Sequence, residues 1–313
     1  MIEVINPAWF SVIVDGGRYG HADVGVPDSA ALDEFAYKIL NYLVGNQSGA
    51  PVIEVMGNEF SVRLNCAAMC AITGAQVTAY LDEKPITPWA SFAVHEGSIL
   101  RVKEVAEGFR YYVGFAGLMD VDRVIGSYST NLECRFGGLR GRPLLKGDRI
   151  ALHEPRIFGE RFMPEEMAPP MDSPHVLRIL EGPEAHYFTP ETINRLFEKK
   201  DHSWYIVSSK SNRTGIRLEG KPLIFKKGIE RSIISEGILP GTIQIPGDGQ
   251  PILMLHERTI GGYARFGIVA KVDHDRLAHL KPKDSVLFQL IGLDEAERLW
   301  RQKVELYYRM LPQ

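Results

Sequence analysis

Short apolar runs, bounded by glycine, proline or aspartate, recur along the whole chain. They are three to six residues long and rich in β-branched and aromatic residues, which is typical of buried β-strands. The clearest runs are Ser11–Val14, Ala68–Thr73, Ile99–Val102, Tyr111–Ala116, Trp204–Ser208, Ile243–Ile245 and Ile252–Leu255. Thirty glycines and nineteen prolines supply turns between them. The pattern predicts a mainly β protein.

A few segments carry apolar residues at helical spacing instead. The first helix is predicted to begin with capping side chains at Asp28 and to end at Gly45. A second is predicted to begin at Thr189, which a proline follows. Asp273 is predicted to cap a short third helix, and Asp294 to start a C-terminal one. The predicted fold class is therefore mainly β with a few helices.

Length and punctuation predict two domains. The chain has 313 residues, which is long for one packed core. The segment 162–174 is rich in proline and lacks periodicity, as linkers do. We therefore predict an N-terminal β-rich domain over residues 1–160 and a C-terminal β-barrel domain over residues 175–313.

The charge pattern argues against several classes of partner. Net charge is −3, and lysines and arginines are scattered, so neither nucleic acid nor a membrane surface is an expected partner. No run approaches the roughly 18 apolar residues of a membrane helix. The N-terminus lacks the basic flank and apolar run of a signal peptide. A cytoplasmic location is expected.

Cysteine and histidine do not indicate a metal site or a disulfide framework. The cysteines are Cys66, Cys70 and Cys134, an odd number. Cys66 and Cys70 have no second pair near them and are expected to be buried small side chains in a strand. The nine histidines form neither an H-x-H nor an H-E-x-x-H pattern. No metal ligand is predicted.

Two polar, glycine-containing segments of the N-terminal half are candidates for chemistry. In Asp15–Gly20, two glycines permit a tight turn, and Arg18 would suit a carboxylate; the alternative is an ordinary turn. In the second segment, Ser127, Ser129 and Thr130 place hydroxyl groups on a loop. Such hydroxyls either donate to a carbonyl oxygen of a ligand or satisfy their own backbone.

Two further segments lie in the C-terminal half. Arg213 and Arg217, separated by a glycine, would suit a carboxylate or phosphate, or lie solvated in a hairpin. Further on, Gln244 and Gln250 have side chains that both donate and accept, as recognition of an amide requires. The glycine pair before Tyr263 permits close backbone approach, although a tight β-connection explains it equally.

These segments, in this order, resemble the allophanate hydrolase subunit 2 family, also called the biotin-dependent carboxyltransferase domain family. The Gly-Ser-x-Ser-Thr motif of the family is matched by Gly126–Thr130. Its Gln-x-Pro-x-x-Gly-Gln-Pro motif is matched by Gln244–Pro251, and its Thr-x-Gly-Gly-Tyr motif by Thr259–Tyr263. Val14–Arg18 and Ser211–Leu218 resemble its remaining motifs. The resemblance spans nearly the whole chain.

The resemblance implies a two-domain, cyclophilin-like β-barrel architecture and a component of a complex that is not active alone. Family members pair with an allophanate hydrolase subunit 1-like protein, which is the B subunit of 5-oxoprolinase, and in that enzyme also with an A subunit. That complex opens 5-oxoproline, a small cyclic amide, to glutamate using ATP. The expected cofactor is thus ATP supplied to the complex, at a site that the sequence does not locate.

Two other functions are implied as alternatives. The first is the carboxyltransferase component of a biotin-dependent urea carboxylase or allophanate hydrolase system; the chain has no Met-Lys-Met attachment sequence, so a partner chain would supply biotin. The second is a non-enzymatic partner that antagonises a subunit 1-like kinase inhibitor. Val14, Asn212 and Arg258 replace the Gln, Asp and Gln of the family pattern, and the choice between these functions stays open.

The candidate site combines the motifs of both halves. The predicted catalytic residues are Arg18, Ser129, Thr130 and Arg213. The predicted substrate-binding residues are Ser127, Asn212, Arg217, Gln244, Gly261, Gly262 and Tyr263. In this hypothesis the arginines hold a substrate carboxylate or phosphate, the hydroxyls and Gln244 bond the amide, and the glycines with Tyr263 shape the pocket wall.

Overall fold

The computed structural model describes residues 1–163, 171, 173–197 and 204–310. The chain forms two compact units. The N-terminal unit consists of Met1–Tyr19 with Asp28–Met171, and the C-terminal unit of Gly20–Pro27 with Asp172–Gln313. Most of the linker predicted over residues 162–174 lies outside the described residues.

The N-terminal unit is built on one large antiparallel sheet. Its central path runs β10-β1-β4-β8-β3-β2, and β5 pairs with β6, β7 and β8. A small separate ladder joins β9 to β11. The strands are β1 (Ile2–Asn6), β2 (Phe10–Val14), β3 (Val52–Met56), β4 (Phe60–Leu64), β5 (Ala68–Leu81), β6 (Lys84–Ile86), β7 (Ser91–Val94), β8 (Ile99–Phe115), β9 (Leu118–Met119), β10 (Arg149–Ile150) and β11 (Leu152–His153).

One long strand joins two predicted ones. The runs Ile99–Val102 and Tyr111–Ala116 both belong to β8, whose middle has mostly exposed residues and pairs with β5. Exposure of the middle removes the apolar signal while backbone pairing continues. Cys70 is a buried residue of β5, as predicted, but Cys66 is half-buried, precedes the strand and accepts from the N-terminal amine.

Helix α1 (Glu34–Leu43) packs its apolar face on β5 and β8. The prediction of a start at Asp28 is wrong, because Asp33 is the N-cap, with its carboxylate accepting from Ala36 N at 2.8 Å. Ser29 has a φ of 51°, which is left-handed backbone rather than helix. A buried polar cluster fixes the helix start: Tyr112 Oη accepts from Asp33 N at 2.9 Å and donates to Glu54 at 3.0 Å.

The C-terminal unit is a closed barrel. Its strands follow the order β12-β19-β13-β14-β17-β16-β18, and β18 pairs back to β12. Only β12 and β19 are parallel neighbours, and β15 extends the sheet beside β18. The strands are β12 (His175–Glu181), β13 (Tyr205–Val207), β14 (Gly215–Glu219), β15 (Ser232–Gly237), β16 (Thr242–Ile245), β17 (Ile252–Met254), β18 (Ile260–Val269) and β19 (Ser285–Leu290).

Three helices of the C-terminal unit lie in its described part: α2 (Pro190–Phe197), α3 (His274–Leu277) and α4 (Leu293–Met310). The predicted starts at Thr189 and Asp294 agree with α2 and α4 to within one residue. Asp273 is the N-cap of α3 by position, but its carboxylate makes no cap bond and instead binds Arg178. No helix in the described ranges is long and apolar enough to cross a membrane.

Candidate functional site

In the N-terminal unit, the predicted hydroxyl residues gather around the carboxylate of Asp15. Asp15 Oδ1 accepts from Ser127 Oγ at 2.6 Å, from Ser129 Oγ at 2.8 Å and from Gly17 N at 2.8 Å. Its Oδ2 accepts from Tyr128 N at 2.6 Å. Four donors fill the lone pairs of a carboxylate. Asp15 therefore ties the turn after β2 to the loop that carries the serines.

Arg18 and Thr130 belong to the same buried cluster. The Arg18 guanidinium donates to Ser129 O and lies over the Phe136 ring, 4.8 Å from its centroid. Thr130 Oγ1 donates to Ile13 O at 2.9 Å. Gly138, with a φ of 57°, packs so close to Thr130 that a Cβ would lie 2.0 Å from Oγ1. These groups are engaged with one another, and the assigned catalytic roles of Arg18, Ser129 and Thr130 stay predictions.

A cleft of about 410 Å³ opens beside this cluster. The exposed Arg123 and Arg156 lie in its wall, and Asn46 joins them there. Arg123 Nε donates to Gly126 O at 3.1 Å, and Arg156 donates to Gly45 O at 3.0 Å, so both guanidiniums are partly anchored. Each guanidinium carries five N–H donors, so these anchors leave donors over. The cleft suits a small polar ligand.

Side chains at one end of the cleft are tuned by Asp15. Burial raises the pKa of Tyr37, and the negative charge of Asp15 raises it further. Tyr37 therefore stays a neutral hydroxyl, and it donates to Ala50 O at 3.1 Å. This bond holds the 46–50 loop, which forms part of the cleft wall. Asp15 thus positions two sides of the cleft without being its floor.

In the C-terminal unit, the two predicted arginines differ in exposure. Arg213 is buried, and its Nε lies 3.4 Å from Glu257 Oε1, with both side chains at most 5% exposed. Arg217 lies on β14 with an exposed side chain. Asn212 closes a turn by accepting from Thr214 N at 2.8 Å and Gly215 N at 3.2 Å. Asn212 thus does the backbone work that an aspartate does at this position of a turn.

Gln244 and Gly261 meet inside the same unit. Gln244 lies on β16 and is 3% exposed. A Cβ placed on Gly261 of β18 would lie 2.1 Å from Gln244 Nε2. The glycine therefore provides the space that the carboxamide occupies. The sequence predicted both residues for the site, and the fold brings them into contact.

The neighbouring strand β15 carries acidic groups. Gly261 pairs with Glu236 of β15, and Tyr263 pairs with Ser232 and is 42% exposed. Arg265 binds Glu184 through two bonds of 2.8 Å and Glu236 at 2.7 Å. The Arg265 hydrogen bonds hold the pKa of Glu184 below its usual range.

Gly262 also lies in this strand pairing. A Cβ on Gly262 would lie 3.1 Å from Ser235 Oγ. Gly262 is therefore a position of close strand approach, as its motif indicated. The pocket-wall role predicted for Gly261, Gly262 and Tyr263 stays a prediction.

The family described as "Carboxyltransferase domain, subdomain A and B" matches residues 24–290, which is most of the chain. The chain belongs to this family. The match spans the Ser127–Thr130 loop, the Asn212 turn and the Gln244–Gly261 contact. These contacts are therefore features of a carboxyltransferase-domain chain.

Similar proteins fall into two groups. The chain is 33% identical to the C subunit of 5-oxoprolinase from Escherichia coli over 312 residues, covering 99% of this chain and 97% of the relative. It is 28% identical to the C subunit of 5-oxoprolinase from Haemophilus influenzae, over 98% and 96%. The crystal structure of the K. lactis urea amidolyase superposes with a TM-score of 0.90 at 25% identity. That alignment covers 98% of this chain and 20% of the urea amidolyase chain.

The sequence did not single out the cleft arginines. Arg123 and Arg156 lie outside the four motifs, in loops without glycine pairs of their own. Their shared position arises from pairing of β9 with β11, which is only two residues long in each strand. No period-based signal marks such a short ladder. Asn46 did stand in a family motif, and the structure places its Oδ1 2.9 Å from Gly117 N.

Proposed function

We propose that this chain is the C subunit of an ATP-dependent 5-oxoprolinase complex that opens 5-oxoproline to glutamate. The observation that carries the proposal is the end-to-end similarity with the C subunit of the E. coli 5-oxoprolinase, which covers 97% of that protein. The corresponding match to the urea amidolyase of Lachancea kluyveri covers 17% of the relative. Similarity to a whole protein supports assignment of the subunit role better than similarity to a fragment.

The proposed partners are an allophanate hydrolase subunit 1-like protein as the B subunit and a third protein as the A subunit. The relatives are themselves named as one lettered component of 5-oxoprolinase, which implies others, and the proposal assigns ATP and turnover to the assembly rather than to this chain alone. What supports a ligand role for this chain is its inventory of polar groups: guanidiniums at the cleft and a buried carboxamide at Gln244. None of the proposed chemistry requires a metal ligand from this chain.

Assembly is tested by co-expression. The chain carrying an affinity tag is expressed with candidate B and A subunits, purified, and its stoichiometry measured by mass photometry. The proposal expects the B subunit to be retained through gel filtration and 5-oxoproline to be consumed only when ATP and all three chains are present. Retention of neither partner, with this chain monomeric and fully folded, would overturn the assembly.

Carboxyl transfer to urea is a second candidate, favoured by the TM-score of 0.90 with the urea amidolyase structure. The chain spans about a fifth of that protein, so the biotin-bearing parts would come from other chains. The test mixes this chain with carboxybiotin and urea and measures allophanate formation. Product formation that depends on this chain would favour this candidate over lactam opening.

A further inference from the structure

Gln244 is an unusual buried residue because its amide nitrogen lacks a partner. The side chain is 3% exposed, and Nε2 is a buried donor with no hydrogen-bond partner among the described residues. Leaving a buried amide donor unpaired costs free energy, so folded proteins rarely keep such a group without a use for it. An amide donor held ready for an acceptor is one such use.

The backbone aims this carboxamide by an irregularity in the sheet. The register between β16 and β18 shifts between Ile243 and Gln244, since Ile243 pairs with Gly267 and Gln244 pairs with Arg265. Bulges of this kind turn a side chain away from the direction that regular alternation would give it. Gly261 then leaves room, because any side chain there would collide with Nε2 at 2.1 Å. Bulge and glycine together fix where the donor points.

The second glutamine of the same motif is satisfied, which provides an internal comparison. Gln250 Nε2 donates to Gly220 O at 2.9 Å, and Gln250 Oε1 accepts from Gly220 N at 2.9 Å. Both ends of the Gln250 carboxamide thus hold a turn against the end of β14. The two glutamines have the same chemistry but only Gln250 spends it on the fold.

We propose that Gln244 Nε2 and the space beside Gly261 form a binding site for the carbonyl oxygen of a small amide ligand, a lactam or a urea. The proposal rests on the proposed function for the ligand class, but the site stands on the geometry. A neutral N–H donor in a dry site discriminates strongly between a ligand with a carbonyl acceptor and an analogue without one. Gln244 is thereby a specificity-determining residue, and Gly261 is its positioning residue.

The test compares Gln244→Met with the matched control Gln250→Met in the assembled complex and in the chain alone. Methionine has nearly the shape of glutamine without its polar atoms. Removing an unpaired buried donor is neutral or stabilising, so Gln244→Met is expected to keep or raise the melting temperature by a few degrees. Gln250→Met breaks two bonds and is expected to lower it.

Function should move in the opposite direction. Gln244→Met is expected to raise KM for the amide substrate about tenfold or more, while Gln250→Met leaves it nearly unchanged. Proline, which lacks the lactam carbonyl, should inhibit the wild-type complex far more weakly than a lactam analogue of 5-oxoproline does, and Gln244→Met should abolish that preference. Gly261→Ala should reproduce the rise in KM, because it displaces the carboxamide.

The outcomes separate this inference from the subunit proposal. If no complex turns over 5-oxoproline, the subunit proposal fails, and the carbonyl site is judged by thermal shift of the chain with urea and 5-oxoproline as probes. A shift that Gln244→Met removes and Gln250→Met retains supports the site. A melting temperature lowered by Gln244→Met, with ligand shifts and KM unaltered, means that Nε2 is bonded within the fold, and the inference is then wrong.

Discussion

At the scale of single residues, Asp15 decides what the serine loop does. Its carboxylate holds Ser127, Ser129 and Tyr128 of the loop together with Gly17 of the turn. The serines therefore lie in a buried, satisfied network, where hydroxyls are poorly placed to meet a ligand. The network builds one side of the cleft, and the cleft side chains are the ones that face solvent.

Asp15→Asn is expected to lower the free energy of unfolding by about 2 to 4 kcal/mol, because charge-assisted bonds are lost and an amide donor faces other donors. Chemical denaturation monitored by tryptophan fluorescence measures it. The matched control is the exposed Asp23→Asn, which should change stability by less than about 0.5 kcal/mol. A stable Asp15→Asn protein with lost activity would instead make Asp15 a ligand-contacting residue.

His274 gives the C-terminal unit a dependence on pH. Burial lowers the pKa of His274 to about 4, helped by the positive charge of Lys271 and by His256, while the Val269 carbonyl and Asp275 act in the opposite direction. The folded state thus favours the neutral imidazole. This contribution to stability is complete above the ordinary pKa of 6.5 and is lost as the pH falls from 6.5 towards 4.

The wild-type chain is therefore expected to lose more stability between pH 6.5 and 4 than His274→Gln does, by about 1 to 3 kcal/mol. The exposed His95→Gln is the control and should follow the wild type. Urea denaturation at several pH values provides the comparison. Parallel curves for the wild type and His274→Gln would show that the imidazole does not titrate differently in the folded state.

Sequence reasoning reached the right residues more often than the right contacts. Gln244 and Gly261 were chosen from separate motifs and do touch. Arg213 was chosen as a ligand clamp, yet it lies buried against Glu257. A motif shows that an arginine is needed at a position, but its partner lies 44 residues further along the chain, and only the fold brings that carboxylate to it.

At the scale of elements, the packing of α1 on β8 depends on a missing side chain. A Cβ on Gly114 would lie 2.9 Å from Leu40 Cγ, and Leu40 is fully buried. The helix therefore approaches the strand more closely than any other residue at 114 would allow. The same helix carries Asn46 and the cleft loop after its C-terminus, so its position affects the cleft.

Gly114→Ala is expected to destabilise the fold by about 1 to 3 kcal/mol, because a tightly packed interface must move to admit the methyl group. Differential scanning calorimetry measures the effect. Gly159→Ala is the matched control, since a Cβ there would contact nothing within 4 Å. Equal melting temperatures for Gly114→Ala and the wild type would contradict close packing of α1 on β8.

Element types were easier to predict than element limits. The β-rich character followed from short apolar runs, but the start of α1 was placed five residues early because Asp28 and Ser29 are also capping residue types. What decides between these caps is the tertiary bond from Asp33 N to Tyr112 Oη, which no local pattern contains. Closure of the barrel by β12 and β18 likewise joins strands far apart in sequence.

At the scale of the whole molecule, the motifs predicted the family because they are spread over nearly the whole chain, and the match over residues 24–290 confirms it. The reaction is a separate question, since the C subunit of 5-oxoprolinase and urea amidolyase share this domain. Coverage of the full length of the former is what favours lactam opening for this chain.

The central claim is that this chain is a required part of a 5-oxoproline-opening assembly. The most direct measurement is ATP-dependent glutamate formation from 5-oxoproline by the purified three-subunit complex, compared with the same B and A subunits without this chain. The account predicts turnover with the chain present, and a loss of at least about a hundredfold without it. Equal glutamate formation with and without the chain would contradict the account.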